Sequence, residues 1–391
     1  MPPWVVFWRV LRCRGSVSSK STTETYPANS LNWQSALEEH RQISPGLFFA
    51  LAATVVLGTG LRLFQLDARP ATPGELDTAA AVAGGLNSIW RSAAQHRAPL
   101  AQTLFWLGAQ AGEVSLLHLR LVSVIAAAMM LPLLWLAAAH AVGRGTALLA
   151  TALLTSAPVA VGLSQQAVPA ALAVAALPLT FLCYEQLRRR GSALHWALFA
   201  LAGVFVTLCT YACAALVLAQ LVALLIVVER RRRVEVLLGS VTCALLLMLA
   251  VSPLLGFLLR GGILNSAMGL AQLAGLLAMA LAVADSPLRG LALLAVAGAA
   301  GFALLRSWHY RSLLPHLLQI AALVLVLLVS TSFFNSVGEA ATLVLPSLLL
   351  IIASGLSSLA ELRFGWLLAA LLAALLLTNH FVGLVAYFVA V

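Results

Sequence analysis

LRLFQLDARPATPGELDTAAAVAGGLNSIWRSAAQHRAPLAQTLFWLGAQAGEVSLLHLR, residues Leu61 to Arg120, is the polar interval between the first long apolar run of the chain and the second. It holds Asp67, Glu75, Asp77 and Glu113, four of only 13 acidic residues in the sequence. A carboxylate at a membrane-water boundary can act as a general base or bind a metal ion, whereas one in lipid would be neutral. Glu75 and Asp77 are therefore the candidate catalytic residues. The alternative is that they are solvated loop charges, which this spacing also fits.

Working outward, the rest of the chain is mostly apolar. It has 391 residues, 62% hydrophobic and 9% charged, with a mean hydropathy of +1.00. A soluble domain would carry about 25% charged residues, so the fold class is all-α, a polytopic helical membrane protein. Apolar spans are read at 46–64, 119–141, 145–163, 168–186, 193–210, 212–228, 234–257, 287–305, 313–334, 341–358 and 366–389. That makes about eleven transmembrane helices in one membrane domain, 46–391, with interfacial helices in a first outer loop at 65–118. The stretches 99–111 and 264–284 are apolar but short or broken by Gly269, Gln272 and Gly275.

Charge placement orients the chain. If 99–111 and 264–284 lie at the outer interface, the inner segments hold 16 of the 23 Lys and Arg residues. The outer side keeps Arg62, Arg69, Arg91, Arg97, Arg120, Arg260 and Arg289. The N-terminus is then cytoplasmic and the C-terminus outside. Residues 1–45 are basic and Ser/Thr-rich, which fits a transit peptide, an over-extended start or, the reading favoured here, a disordered cytoplasmic tail.

The net charge of +10 does not imply nucleic acid, because the arginines sit between apolar spans, where they set topology and touch membrane lipids. The five cysteines lack paired spacing, so a disulfide framework and a zinc site are not expected. No metal ligands are assigned. A transporter is disfavoured because no opposite charges are expected to pair within the spans.

The order of features from residue 61 onward resembles the C-type, polyprenyl-phosphate-dependent glycosyltransferases, the superfamily that includes protein O-mannosyltransferases and the aminoarabinose transferase acting on lipid A. In that family the first span ends in a run like R-L-x-x-L-D-x-P-P, an Asp-Glu pair opens the first outer loop, and an H-P-P-L element follows. Here the run is Arg62 to Pro70, then Gly74-Glu75-Leu76-Asp77, then His96-Arg97-Ala98-Pro99-Leu100. A later family run like S-x-E-A-R-x-Y is matched by Ser164-Gln165-Gln166-Ala167-Val168-Pro169-Ala170, and a T-H pair by Thr210-Tyr211. An R-Y-L-L-P element is matched loosely by Ala340 to Pro346.

The resemblance implies an inverting transfer of sugar from a polyprenyl-phosphate lipid to an acceptor at the outer face of a bacterial cytoplasmic membrane. It implies a carboxylate base, and basic groups or a divalent cation to neutralise the leaving phosphate. The departures matter too. The family aspartate falls on Gly74, and the family arginines fall on Val168 and on an uncharged position near Ala340. Three losses of charge suggest an altered or abandoned reaction. Candidates to bind substrate are His96, Gln165, Gln166 and Tyr211, with Arg69, Arg97, Arg260 and Arg289 left to meet the lipid phosphate. His96 can equally be a solvated loop histidine, and the two glutamines can equally satisfy backbone groups. The competing function is a non-catalytic membrane scaffold or lipid-binding subunit of a larger complex.

Overall fold

The computed structural model describes residues 44–92, 99–110, 115–229, 232–259, 289–305, 310–329, 337–362 and 364–389. Every described element is helical. In chain order they are α1 (Pro45–Leu63), α2 (Pro73–Ala83), α3 (Gly85–Ser92), α4 (Pro99–Ala109), α5 (Leu116–Val142), α6 (Arg144–Ser156), α7 (Pro158–Ser164) and α8 (Pro169–Arg190). There follow α9 (Ala193–Cys209), α10 (Cys213–Val227), α11 (Arg233–Leu259), α12 (Arg289–Leu305), α13 (Tyr310–Val329), α14 (Val337–Ala360) and α15 (Gly365–Val389).

The eleven intervals read as apolar spans fall on these helices as far as they are described, residues 287–288 and 330–334 and the apolar stretch 264–284 lying outside the described residues, but they are not all alike. Among the described residues six helices are long and apolar enough to cross a membrane, or seven if the bent pair α6 and α7 is one span. At a rise of about 1.5 Å per residue, the 17 residues of α9 and the 15 of α10 reach only about 25 and 22 Å. Apolar runs of this length read alike whether they cross lipid or lie inside a bundle.

The expected single span 145–163 needs correction. It breaks at Ala157, where α6 and α7 meet at 64°. Pro158 causes the break. It has no N–H for the Leu154 carbonyl, and it forces Ala157 into an extended conformation (φ −67, ψ 116). The 11-residue α4 is about 16 Å long, too short to span a membrane.

Helices α5 and α8 form the centre. They pack on each other, and α8 continues the contact to α9 and α14. The central core includes Leu131, Leu134, Leu153, Leu177, Phe199, Leu216 and Leu345, all essentially without exposure. Helix α11 sits at the edge, with Val234, Leu238, Leu245 and Leu249 exposed as a lipid-facing surface. Few polar side-chain bonds cross the core among the described residues. Gln220 donates to Thr180 between α10 and α8, and Ser347 bridges Gln319 and His316 between α14 and α13.

The two ends of the bundle are chemically distinct. One gathers α2 to α4, the link between α7 and α8, and the C-terminal turn of α15. The other gathers Glu185 and Arg188 to Arg190 at the end of α8, with Arg232 near them. Helix α8 stops there because Gly191 takes the left-handed conformation (φ 60) that a side chain resists.

Candidate functional site

The site is built on Glu75. Helix α2 starts at Thr72, whose hydroxyl accepts from the Glu75 N–H at 3.3 Å while the Glu75 carboxylate accepts from the Thr72 N–H at 2.9 Å. This reciprocal cap, with Pro73 at the first helical position, is written in the sequence Thr72-Pro73-Gly74-Glu75. It turns the Glu75 side chain back toward the bundle, where it is fully buried.

There it meets Arg120, 45 residues away on α5. Glu75 Oε1 accepts from Arg120 Nε at 2.7 Å, and Oε2 accepts from Nη2 at 3.0 Å. The backbone N–H of Ala167 donates to Oε1 at 3.0 Å, and the Thr72 hydroxyl lies 3.2 Å from Oε2. Arg120 spends its remaining donors on the carbonyls of Leu66 (2.8 Å), Arg69 (3.1 Å) and Pro70 (3.2 Å). Its five N–H groups thus have five acceptors, the complete inventory of a guanidinium. Burial alone would raise the Glu75 pKa. The hydrogen bonds from Arg120, Thr72 and Ala167, with the Arg120 charge, outweigh it and hold the carboxyl below its ordinary value.

A second clamp lies beside the first. Gln165, at the end of α7, donates to the carbonyls of Leu61 (3.3 Å), Arg62 (3.1 Å) and Phe64 (2.8 Å), capping the last turn of α1. Its carbonyl accepts from the Tyr387 hydroxyl of α15 at 2.8 Å. Arg69 lies on the same tyrosine, its guanidinium carbon 3.2 Å from the ring centroid and Nη2 2.5 Å from the Tyr387 carbonyl.

The residues expected from sequence thus take different places. Glu75 and Gln165 are in the site, but their polar atoms hold backbone together. Asp77 lies two residues on, exposed on the outer face of α2. Arg69 is half-buried, with Nε lacking an acceptor among the described residues. Gln166 is half-buried beside Gln165, and Tyr211 is buried between α9 and α10. Arg289 begins α12, while His96, Arg97 and Arg260 lie outside the described residues. Of the four arginines considered for the lipid phosphate, Arg69 is therefore the one seen beside Glu75.

Two buried opposite-charge pairs occur, Glu75 with Arg120 and Glu185 with Arg188, each with one member outside the apolar intervals read as spans. Both pairs stand at helix ends, with loop backbone completing the partners of Glu75 and of Arg120, and Arg189 lying near Glu185, so they do not form a path through the bundle.

Three residues escaped the sequence reading. Arg120 and Arg62 counted only as outer charges, yet both are buried. Arg62 donates to the Gly58 carbonyl at 2.9 Å, with Nε and Nη2 unpartnered among the described residues. A buried cation at the mouth of an apolar span needs acceptors: Arg120 finds them in Glu75 and loop carbonyls, whereas Arg62 is met by the Gly58 carbonyl. Tyr387 carried no signal in the sequence, because nothing local distinguishes a tyrosine ending an apolar helix from an interfacial anchor. Among the described residues no three His, Cys, Asp or Glu side chains gather, and Glu75 is already saturated, so these donors do not fit a divalent cation.

Comparison with known proteins shows what this helical bundle is similar to. The family described as dolichyl-phosphate-mannose-protein mannosyltransferase matches residues 96–257, less than half of the chain. The crystal structure of ArnT from Cupriavidus metallidurans bound to undecaprenyl phosphate superposes with a TM-score of 0.59 at 15% identity, covering 84% of this chain. The chain spans 62% of the length of that protein. No curated protein sequence matches.

Proposed function

We propose that this protein transfers a sugar from a polyprenyl-phosphate donor to an acceptor at the membrane face that carries α2 to α4. The observation that carries the reading is the way Glu75, Arg120 and Gln165 fix α2 against the bundle, which leaves Asp77 exposed on α2. ArnT, which shares the fold, is known bound to a polyprenyl phosphate.

In this reading Asp77 is the base and Glu75 a positioning residue. Glu75 accepts five hydrogen bonds, and taking a proton there would break the cap and the arginine pair together. Asp77 takes the proton from an acceptor hydroxyl or amine as its oxygen or nitrogen bonds to the anomeric carbon. The bond from that carbon to the phosphate oxygen breaks with inversion, and the electron pair leaves with the lipid phosphate. Arg69 stands beside the clamp to receive that charge, with Arg97, Arg260 and Arg289 as the further candidate cations.

A second reading is favoured by one specific observation. Glu75 and Gln165, two residues expected to do chemistry, are engaged in structural bonds, as they would be in a lipid-binding scaffold that keeps the fold. Purified full-length protein reconstituted with synthetic polyprenyl-phosphate sugars separates the two. The transferase reading expects release of polyprenyl phosphate, reduced about a hundredfold or more in Asp77→Asn at unchanged protein level. Equal release by the variant removes Asp77 from the mechanism. Tight lipid binding without release, together with stoichiometric protein partners on copurification, supports the scaffold.

A further inference from the structure

The end of the bundle away from α2 to α4 holds a pocket that the proposed reaction does not use. It lies between α5, α8, α13 and α14 and has about 280 Å³ of empty space, counted to its mouth. Ligand pockets commonly hold about 300–1,000 Å³, so an occupant here is small. Leu134, Ala138 and Leu350 give it an apolar wall, and Tyr184, Glu185 and His316 bring polar groups to it. Glu185 stands five residues, about 8 Å of helix, before the exposed Arg190 at the end of α8, which is the depth of a phospholipid head rather than of its chains.

The polar residues keep hydrogen-bonding capacity in hand. Tyr184 is 2% exposed, and its hydroxyl has no partner among the described residues. Arg188 places two bonds on Glu185 Oε2, at 2.7 and 3.1 Å, and Arg189 approaches the same oxygen at 4.0 Å, so Oε1 receives none of them. Ser347 gives its proton to Gln319, so its 3.2 Å contact with His316 Nδ1 takes the proton from the ring, and Nε2 of a neutral imidazole is then an acceptor. A buried hydroxyl without a partner is costly. A ligand hydroxyl, which both donates and accepts, suits a tyrosine hydroxyl beside two acceptors.

Charge narrows the choice. Glu185 sets one negative charge against the two guanidinium groups nearest to it, so an ammonium head is repelled and a phosphate attracted. Arg189 is 41% exposed and donates to the carbonyl of His140, the neighbour of Ala141 in the pocket lining. We infer that this pocket binds the head of an anionic, hydroxyl-bearing glycerophospholipid of the phosphatidylglycerol type. Its glycerol hydroxyls meet Tyr184 and Glu185 Oε1, and its phosphate meets Arg189 and Arg190. The site stands at the opposite end of the bundle from the proposed transfer and does not depend on it.

The test is a thermal-shift titration of the delipidated full chain in detergent with three short-chain lipids. These are phosphatidylglycerol, phosphatidylmethanol, which has the same charge and no hydroxyl, and phosphatidylethanolamine, which has the ammonium. Phosphatidylglycerol should protect most and phosphatidylethanolamine least. Tyr184→Phe should weaken phosphatidylglycerol about fivefold and leave phosphatidylmethanol unchanged. Without lipid the same variant should melt no lower than the wild type, because the hydroxyl it removes has no internal partner. Arg189→Gln should weaken both anionic lipids alike, by about threefold.

Equal protection by phosphatidylglycerol and phosphatidylmethanol, unmoved by Tyr184→Phe, would overturn the pocket and leave only a basic surface. Strongest protection by phosphatidylethanolamine would overturn the charge argument. A lipid-free Tyr184→Phe protein that melts well below the wild type would show that the hydroxyl is held by trapped water, and the pocket would then be structural rather than a lipid site.

Discussion

The two ends of the bundle each hold a buried glutamate with an arginine, and the pairs behave differently. Glu185 meets Arg188 at 2.7 Å one helical turn away, with Arg189 at 4.0 Å as a second partner. Glu75 meets Arg120 at the same distance across 45 residues, and both are almost completely enclosed. The first pair decorates a helix that would form without it. The second joins the first loop, the mouth of α5 and the link between α7 and α8, which have no other polar tie of this density. Sequence separation, not the pair's length, decides whether a buried ion pair carries tertiary structure.

The comparison can be broken most sharply by removing one partner at the far-reaching pair. Arg120→Met or Glu75→Gln should each destabilise the protein by about 3–5 kcal/mol, because each leaves buried polar groups unpaired. The double variant Glu75→Leu with Arg120→Met should recover much of that loss. Unfolding in mixed detergent micelles measures both, and single variants that match the wild type would show that the clamp holds nothing.

A smaller effect is expected from pH. The Glu75 carboxyl is held below its ordinary value of 4.5, so its stabilising contribution is complete above that value and is lost as pH falls through the lowered one. Melting temperature should therefore drop on acidification in the wild type more than in Glu75→Gln. Equal slopes would mean that another group dominates the acid response.

The smallest change should come from the other end. Arg188 is 25% exposed and has Arg189 behind it, so Arg188→Gln should cost about 1 kcal/mol or less, and added salt should reduce even that. A loss comparable to that of Arg120→Met would erase the distinction between the two pairs.

By itself the sequence determined the helical membrane class, because 62% hydrophobic residues in long runs have no other way to satisfy their backbone in lipid. It also determined the start of α2, since Thr72, Pro73 and Glu75 stand at capping positions that act over a single turn. The helix break at Pro158 was equally local, though an apolar run hides it from a count of hydrophobic residues. What only the tertiary structure decided is who meets whom. That Glu75 closes on Arg120 and Ala167, that Gln165 caps α1, and that Tyr387 carries Arg69 on its ring depend on contacts 45 to 318 residues apart. Such contacts follow from how α1, α5, α7 and α15 pack, and helix packing is set by side-chain shape over whole faces, which no short run of sequence records.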